Sequence, residues 1–477
     1  MSDTEEGKLR IESDALGEMN IPADAYYGIH ALRAVRNFPF SSYQMHPEFI
    51  RAFAMVKQAC AVANVELGHL ESKIGNAVIT ACKDIAAGKL HNEIVVDPFQ
   101  GGAGTSTNMN FNEVIANRAI ELLNGERGDY SLVHPLKHVN MHQSTNDVYP
   151  TALKVAALNL LIPLEAEVTG LQQSLQIKEQ EFRDVVKVGR TELNDAVPMT
   201  LGMTFGAFAD AIARDRWRIF KCRERIKKVN LGGVAIGTGL GASRDYILCV
   251  AGKLKQITGL PVSRAENLID LTQNMDSFVE VSGFLKAYAV NLVKISSDLR
   301  LLASGPATGL GEITLPPLQV GSSVMAGKVN PVMPEAVTQI SLKVMGNDQS
   351  ITLAASMGQL ELNHLLPLLA HSLLESLTLL MNVSKGFSEN CIAGITANRE
   401  RCKMHVENSY ALATVLVPVL GYERVETILT GAKEAGRTIR EELVHQNIAS
   451  PEEIDEILSP NRLCKLGYIA DDLSWIK

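Results

Sequence analysis

Seven apolar residues decide most of what this chain can fold into. Val281, Leu285, Tyr288, Leu292, Ile295, Leu299 and Leu302 are separated by four and three residues in strict alternation. On a helix that spacing lays all seven along one stripe. A stripe so long is buried only by other helices lying lengthwise against it, as in a bundle. Asp276 or Ser277 can cap its start, and Ser304-Gly305-Pro306 ends it. Two more long segments accompany it. Residues 150–182 carry Leu164, Val168, Leu171 and Leu175 on one face, with Pro163 expected to kink the helix or start a new one. Residues 334–358 carry Val337, Val344, Ile351 and Ala354, interrupted by Asn347 and Asp348. The fold class read from these patterns is all-α, built on a central bundle of long helices. Three such helices from one chain leave a bundle open, and self-association would close it.

Helical spacing also covers roughly 47–68 and 74–87, and resumes after a glycine-rich loop at 97–106, whereas residues 1–40 look irregular. Beyond Gly394, short helices alternate with turns. The expected division is an N-terminal helical domain over 1–145, a long-helix domain over 146–394 and a small helical domain over 395–477. Gly237-Thr238-Gly239-Leu240-Gly241 lacks both the spacing and the preceding strand of a dinucleotide loop, and reads as a helix–helix connection.

Bulk properties exclude several classes. A chain of 477 residues with 46% apolar and 21% charged residues is ordinary for a globular protein of more than one domain. Its net charge of -8 disfavours nucleic-acid binding but not an anionic substrate, because a few cations in one cleft dominate at short range. Seven scattered cysteines form no C-x-x-C pair, so neither a disulfide framework nor a zinc site is expected. The acidic start has no apolar run, and no uninterrupted apolar stretch reaches membrane-spanning length. The expected location is cytoplasmic, with no membrane partner.

Four polar islands interrupt the apolar helices, and each is read as lying at a helix end. Gly321-Ser322-Ser323-Val324-Met325-Ala326-Gly327-Lys328-Val329-Asn330-Pro331 offers flexible backbone, two hydroxyls, a cation and an amide. Lys328 and Asn330 suit a carboxylate, and Ser322 or Ser323 would be a hydroxyl in a positive field. The same composition also suits a solvated surface loop. Gly101-Gly102-Ala103-Gly104-Thr105-Ser106 would present N–H groups at a helix start. The other islands are His142-Gln143-Ser144-Thr145-Asn146-Asp147 and Gly189-Arg190-Thr191-Glu192-Leu193-Asn194-Asp195. Sharing one cleft, they would hold a small ligand carrying carboxylates, with no metal or organic cofactor.

These islands make the chain resemble the aspartase/fumarase superfamily from about residue 10 onward. Gly321–Pro331 is similar to its G-S-S-x-M-x-x-K-x-N signature. Gly102–Ser106, Gln143–Asp147 and Asp195–Gly202 resemble the aspartase branch more than the fumarase branch. The resemblance implies a three-domain subunit and a homotetramer whose active sites are shared between three subunits. It implies reversible conversion of L-aspartate to fumarate and ammonia, with Ser322 as general base. Thr105, Ser144 and Thr145 would bind the β-carboxylate, and Thr191, Lys328 and Asn330 the α-carboxylate. Asn146 would face the amino group with Thr105, while Ser323 and Glu192 complete the substrate-binding set. The alternatives are a fumarate hydratase or a lyase releasing a different amine. Two positions depart from the pattern: Ala326 replaces the usual proline, and Glu192 stands where aspartases usually carry glutamine or histidine. Pairing with Arg190 would turn Glu192 aside.

Overall fold

The computed structural model describes residues 8–467. A hairpin of β1 (Leu9–Asp14) and β2 (Gly17–Pro22) precedes α1 (Ile29–Asn37), α2 (Pro47–Glu66), α3 (Ser72–Ala86) and α4 (Thr105–Leu122). Helix α5 (Thr145–Glu181) leads into a hairpin of β3 (Val186–Thr191) and β4 (Asn194–Thr200), and then α6 (Leu201–Ile226). Short β5 (Lys228–Val229), α7 (Arg244–Thr258), β6 (Ser263–Arg264) and one-turn α8 (Asp270–Gln273) come before α9 (Asp276–Leu302). After β7 (Ile313–Thr314) follow α10 (Val332–Ser356), α11 (Leu366–Asn390), β8 (Thr396–Ala397) and α12 (Arg399–Asn408), with shorter helices onward to Leu463. The described strands pair only as two-stranded ribbons, so the fold is all-α.

The three stripes read from sequence are buried. In α9, Val281 through Leu299 are at most 1% exposed, and the named residues of α5 and α10 are equally covered. Burying each such side chain contributes roughly 1.5–3 kcal/mol. Leu292→Ala is therefore expected to cost ~2–5 kcal/mol of stability, read as a lowered unfolding midpoint. Asn347 and Asp348 are buried too, and tie helices together. Asp348 accepts from Ser282 (2.8 Å) and pairs with Lys286 (2.6 Å), while Asn347 donates to Glu375 (2.8 Å) and Ser376 (3.0 Å).

Several expectations need correction. Among the described residues five helices, not three, run 25 residues or more, because α6 and α11 join the expected set. The α6 stripe, Phe205, Phe208, Ile212, Ile219, Cys222 and Ile226, is broken in sequence by Asp215, which is itself buried and accepts from Asn291 (2.7 Å). Helix α11 has a stripe of its own, Leu366, Leu369, Leu373, Leu377, Leu380 and Phe387, all fully buried, while Asn382, Lys385 and Glu389 face out. Within residues 1–40, the described part, 8–40, is not irregular. It holds the first hairpin and α1, and Arg10 braces that region by donating to the carbonyls of Pro22, Ala25 and Tyr27.

Pro163 neither ends nor restarts the helix: α5 is continuous through both Pro150 and Pro163. A proline deprives the carbonyl four residues earlier of its partner. For Pro150 that carbonyl is Asn146 O, and Asn230 Nδ2 replaces the missing donor at 3.0 Å. Residues 366–394 form a helix long and apolar enough, by length and composition, to cross a membrane, although 61% of its most apolar window is buried within the chain.

Two compact units divide the chain. The first comprises the described part of Met1–Glu165 with Trp217–Ala289 and Leu342–Met381. The second comprises Ala166–Arg216, Val290–Ser341 and the described part of Asn382–Lys477. All five long helices contribute residues to both.

Candidate active site

In the first unit, two helix starts bring polar groups together. Gly102, Ala103 and Gly104 all have positive φ, a left-handed run that delivers the chain into α4 at Thr105. The ring of Tyr149, on α5, lies where a Cβ on Gly104 would be, so only glycine lets the α4 start pack there. Thr105, Ser144, Thr145 and Asn146 thus belong to neighbouring helix ends. Thr105 Oγ1 donates to Gly102 O (2.7 Å) and is exposed. Ser144 Oγ accepts from Asn146 N (3.3 Å), leaving its proton available for a ligand. Asn146 Nδ2 donates to Ala235 O (2.7 Å).

Asp147 holds this turn in place. Its buried carboxylate accepts from the N–H groups of Ser144 (2.9 Å), Gly232 (3.1 Å) and Val234 (3.1 Å). Burial pushes its pKa up to about 7, against the lowering effect of those three donors. Val234 meets this carboxylate with φ 56, a conformation that β-branched residues avoid.

In the second unit, Ser322, Ser323, Lys328 and Asn330 share the loop before α10. Gly321 N donates to Lys328 O (2.9 Å) and Asn330 Nδ2 to Gly321 O (2.6 Å), closing the loop on itself. A Cβ on Gly321 would collide with Lys328 O, so this closure requires glycine. One amide hydrogen of Asn330 is therefore committed to the loop. Ser322 Oγ accepts from Val324 N (3.1 Å) and Met325 N (2.8 Å). No such pair of donors reaches Ser323 Oγ among the described residues, which separates the two hydroxyls that composition left equivalent. Lys328 is exposed and makes no ion pair among the described residues.

The island at 189–195 is not at a helix end. It forms the tip of the β3–β4 hairpin, where Glu192 and Leu193 are the two turn residues, at φ 53 and 64. That pairing matches the twist of a hairpin but is costly for residues other than asparagine or glycine. Arg190 does not pair with Glu192. It is taken by the buried Glu312 at 2.8 Å, alongside His405 (2.9 Å) and Lys187 (3.6 Å). Burial alone would raise the Glu312 carboxyl, but Arg190, Lys187 and His405 together hold it below the usual range. Thr191 and Glu192 are exposed, and Glu192 makes no ion pair among the described residues.

Of nine non-glycine residues at positive φ among the described residues, Ala103, His142, Glu192 and Leu193 lie in three of the islands, and Val234 binds Asp147. Backbone strain of this kind persists where surrounding structure over-determines it, commonly at functional sites.

Residues 17–346 match the family described as lyase, and 412–465 match the fumarase C C-terminus. The chain belongs to this lyase family. It is 47% identical to an aspartate ammonia-lyase from a Bacillus species, over 96% of the chain and 98% of that protein. It is 44% identical to an Escherichia coli aspartate ammonia-lyase, over 97% of each. Among solved structures, it is similar to a Brucella melitensis fumarate lyase:delta crystallin bound to cobalt (TM-score 0.93, 46% identity, 96% of this chain and 100% of that one). A class II fumarase from Schistosoma mansoni is also similar (TM-score 0.89, 34% identity, 95% and 98% covered).

Sequence reasoning missed the groups that hold this lyase's islands in shape. Lys57 and Asn140 bond to Gln143, itself in one of the islands, just ahead of α5, and Glu312 holds the β3–β4 hairpin through Arg190. For Lys57 the signal was a polar residue at a stripe position, within the apolar run of α2 and one residue from Val56.

Proposed function

We propose that this lyase is an aspartate ammonia-lyase, reversibly converting L-aspartate to fumarate and ammonia. The observation that carries the reading is the Ser322 hydroxyl, whose oxygen receives two backbone N–H groups in a chain nearly half identical to proteins of that name. Two N–H donors favour the anionic form of an acceptor, and Lys328 adds positive field. Ser322 Oγ, as its alkoxide, takes the β-proton of aspartate. The electrons of the C–H bond move into the adjacent carboxylate, giving an aci-carboxylate with two negative charges on one carboxyl group. When that species collapses, the C–N electrons leave with nitrogen, and the substrate ammonium departs as neutral ammonia.

The step is hard because of the double charge, so donors aimed at that carboxylate matter most. Thr105, Ser144 and Thr145 take this role, and Thr191, Lys328 and Asn330 bind the α-carboxylate. Asn146 faces the amino group with Thr105, and Ser323 binds substrate beside the base. Val324, Met325 and Val329 are exposed on the loop that carries Ser322. Loop closure over substrate would cover them and exclude water. The site is assembled from three subunits of a homotetramer, and the partner is the small dicarboxylate.

A second reading, with another amine as leaving group, is favoured by one observation: Glu192 is an exposed carboxylate at the hairpin tip, without an ion-pair partner among the described residues. Purified protein given L-aspartate should release fumarate, and given fumarate plus ammonia should form aspartate. Malate from fumarate alone would identify a hydratase instead. Beside the substrate ammonium, Glu192 makes a charge-assisted hydrogen bond and repels the dianionic product. Glu192→Gln is thus expected to raise KM for aspartate and tighten inhibition by fumarate, each several-fold. Unchanged values for both would remove Glu192 from the ammonium site.

A further inference from the structure

Lys57, on α2, is buried, yet among the described residues its Nζ pairs with no carboxylate at hydrogen-bond distance. It donates to Asn140 Oδ1 (3.0 Å) and Gln143 Oε1 (2.9 Å), and burial pushes its pKa down to about 8. A buried cation without a counter-ion at hydrogen-bond distance is a poor device for stability. Its neighbours indicate what it does instead.

A side-chain amide has one accepting and one donating end, whereas an ammonium only donates. Both amide oxygens must therefore face Lys57, which sends both NH2 groups the other way. Asn140 Nδ2 then reaches Gln143 O (3.2 Å), and Gln143 Nε2 reaches Val139 O (3.0 Å) and Met141 O (3.2 Å). Asn108 and Asn112 Nδ2 also converge on Asn140 Oδ1, at 3.1 and 3.2 Å, reinforcing that orientation. Two turns further along α2, on the same face, Asn64 completes the clamp. It donates to Met141 O (3.2 Å) and accepts from His142 Nδ1 (2.7 Å), holding His142 at φ 60. The carbonyls of residues 139, 141 and 143 are thus all held by side-chain amides. The next residues are Ser144 and Thr145.

We infer that Lys57 is a positioning residue: by fixing which way the Asn140 and Gln143 amides face, it sets the backbone that aims Ser144 and Thr145 at the substrate carboxylate. This rests on the carboxylate-binding role given to Ser144 and Thr145 above.

A double-mutant cycle with Lys57→Met and Gln143→Met tests it, with kcat and KM referred to folded protein. A misplacement of donors by about 1 Å costs ~10²-fold in rate. Each single variant is expected to lose kcat/KM by that order, and the double variant to be no worse than the poorer single. Multiplying losses, or wild-type kcat/KM per folded Lys57→Met subunit, would overturn the inference. Gln143→Glu supplies a variant that folds around the lysine, because its carboxylate pairs with Lys57 but cannot donate to Val139 O or Met141 O. It should lose turnover as the methionine variant does, and retention of full turnover would also overturn the inference. Hydrogen exchange over residues 139–147 provides a readout independent of substrate. It should accelerate in Lys57→Met, and unchanged protection there counts against positioning. A wild-type protein inactive on aspartate, with accelerated exchange in Lys57→Met, would instead sink the functional reading alone.

Discussion

Ser322→Ala is expected to lower kcat by ~10³-fold or more, while the fold and its assembly persist. General-base catalysis contributes ~10²–10⁴-fold where proton transfer is difficult, and a proton beside a carboxylate is among the least acidic an enzyme removes. The substitution also strips two N–H groups, those of Val324 and Met325, of their acceptor. Because the loop is exposed, water replaces the hydroxyl and no core contact is lost. Ser323→Ala is the decisive companion. It leaves the Ser322 cradle intact, so its effect should be far smaller and should fall mainly on KM. Steady-state kinetics on both variants, beside circular dichroism to verify folding, settle the assignment. A Ser323→Ala protein that is dead beside an active Ser322→Ala would move the base by one residue.

The helical scaffold was legible because burial imposes periodicity. The α9 stripe had no competing explanation, and every one of its residues is buried. Legibility failed where a polar residue occupies a seam position, as Asp215 does in α6. It failed again at the β3–β4 hairpin, whose turn residues Glu192 and Leu193 are not the usual turn formers. The loop at 321–331 was visible as composition, but composition could not rank Ser322 against Ser323. That distinction depends on which oxygen lies over two N–H groups, a matter of backbone path. The clamp beneath α5 was invisible for a similar reason. Lys57, Asn64, Asn140 and Gln143 are ordinary residues until the fold places their donors against particular carbonyls.

The two compact units lead to the second large effect. Thr105, Ser144, Thr145 and Asn146 fall in the first unit, and Thr191, Glu192, Ser322, Ser323, Lys328 and Asn330 in the second. If different subunits supply the two sets to one site, then two inactive proteins can rescue each other. Thr145→Val removes a donor from the developing dianion, a loss of ~10²–10³-fold, and Ser322→Ala removes the base. Unfolded together, mixed equally and refolded, they would generate hybrid oligomers in which about one site in four draws intact Thr145 and intact Ser322 from different chains. Activity should therefore rise from near zero to about a quarter of wild type, with a maximum at equal proportions, as random association of identical folds requires. Were both sets supplied by the same chain, every site in every hybrid would keep one lesion. The mixture would then stay as inactive as its parents at any ratio, and a site shared between subunits would have to be abandoned.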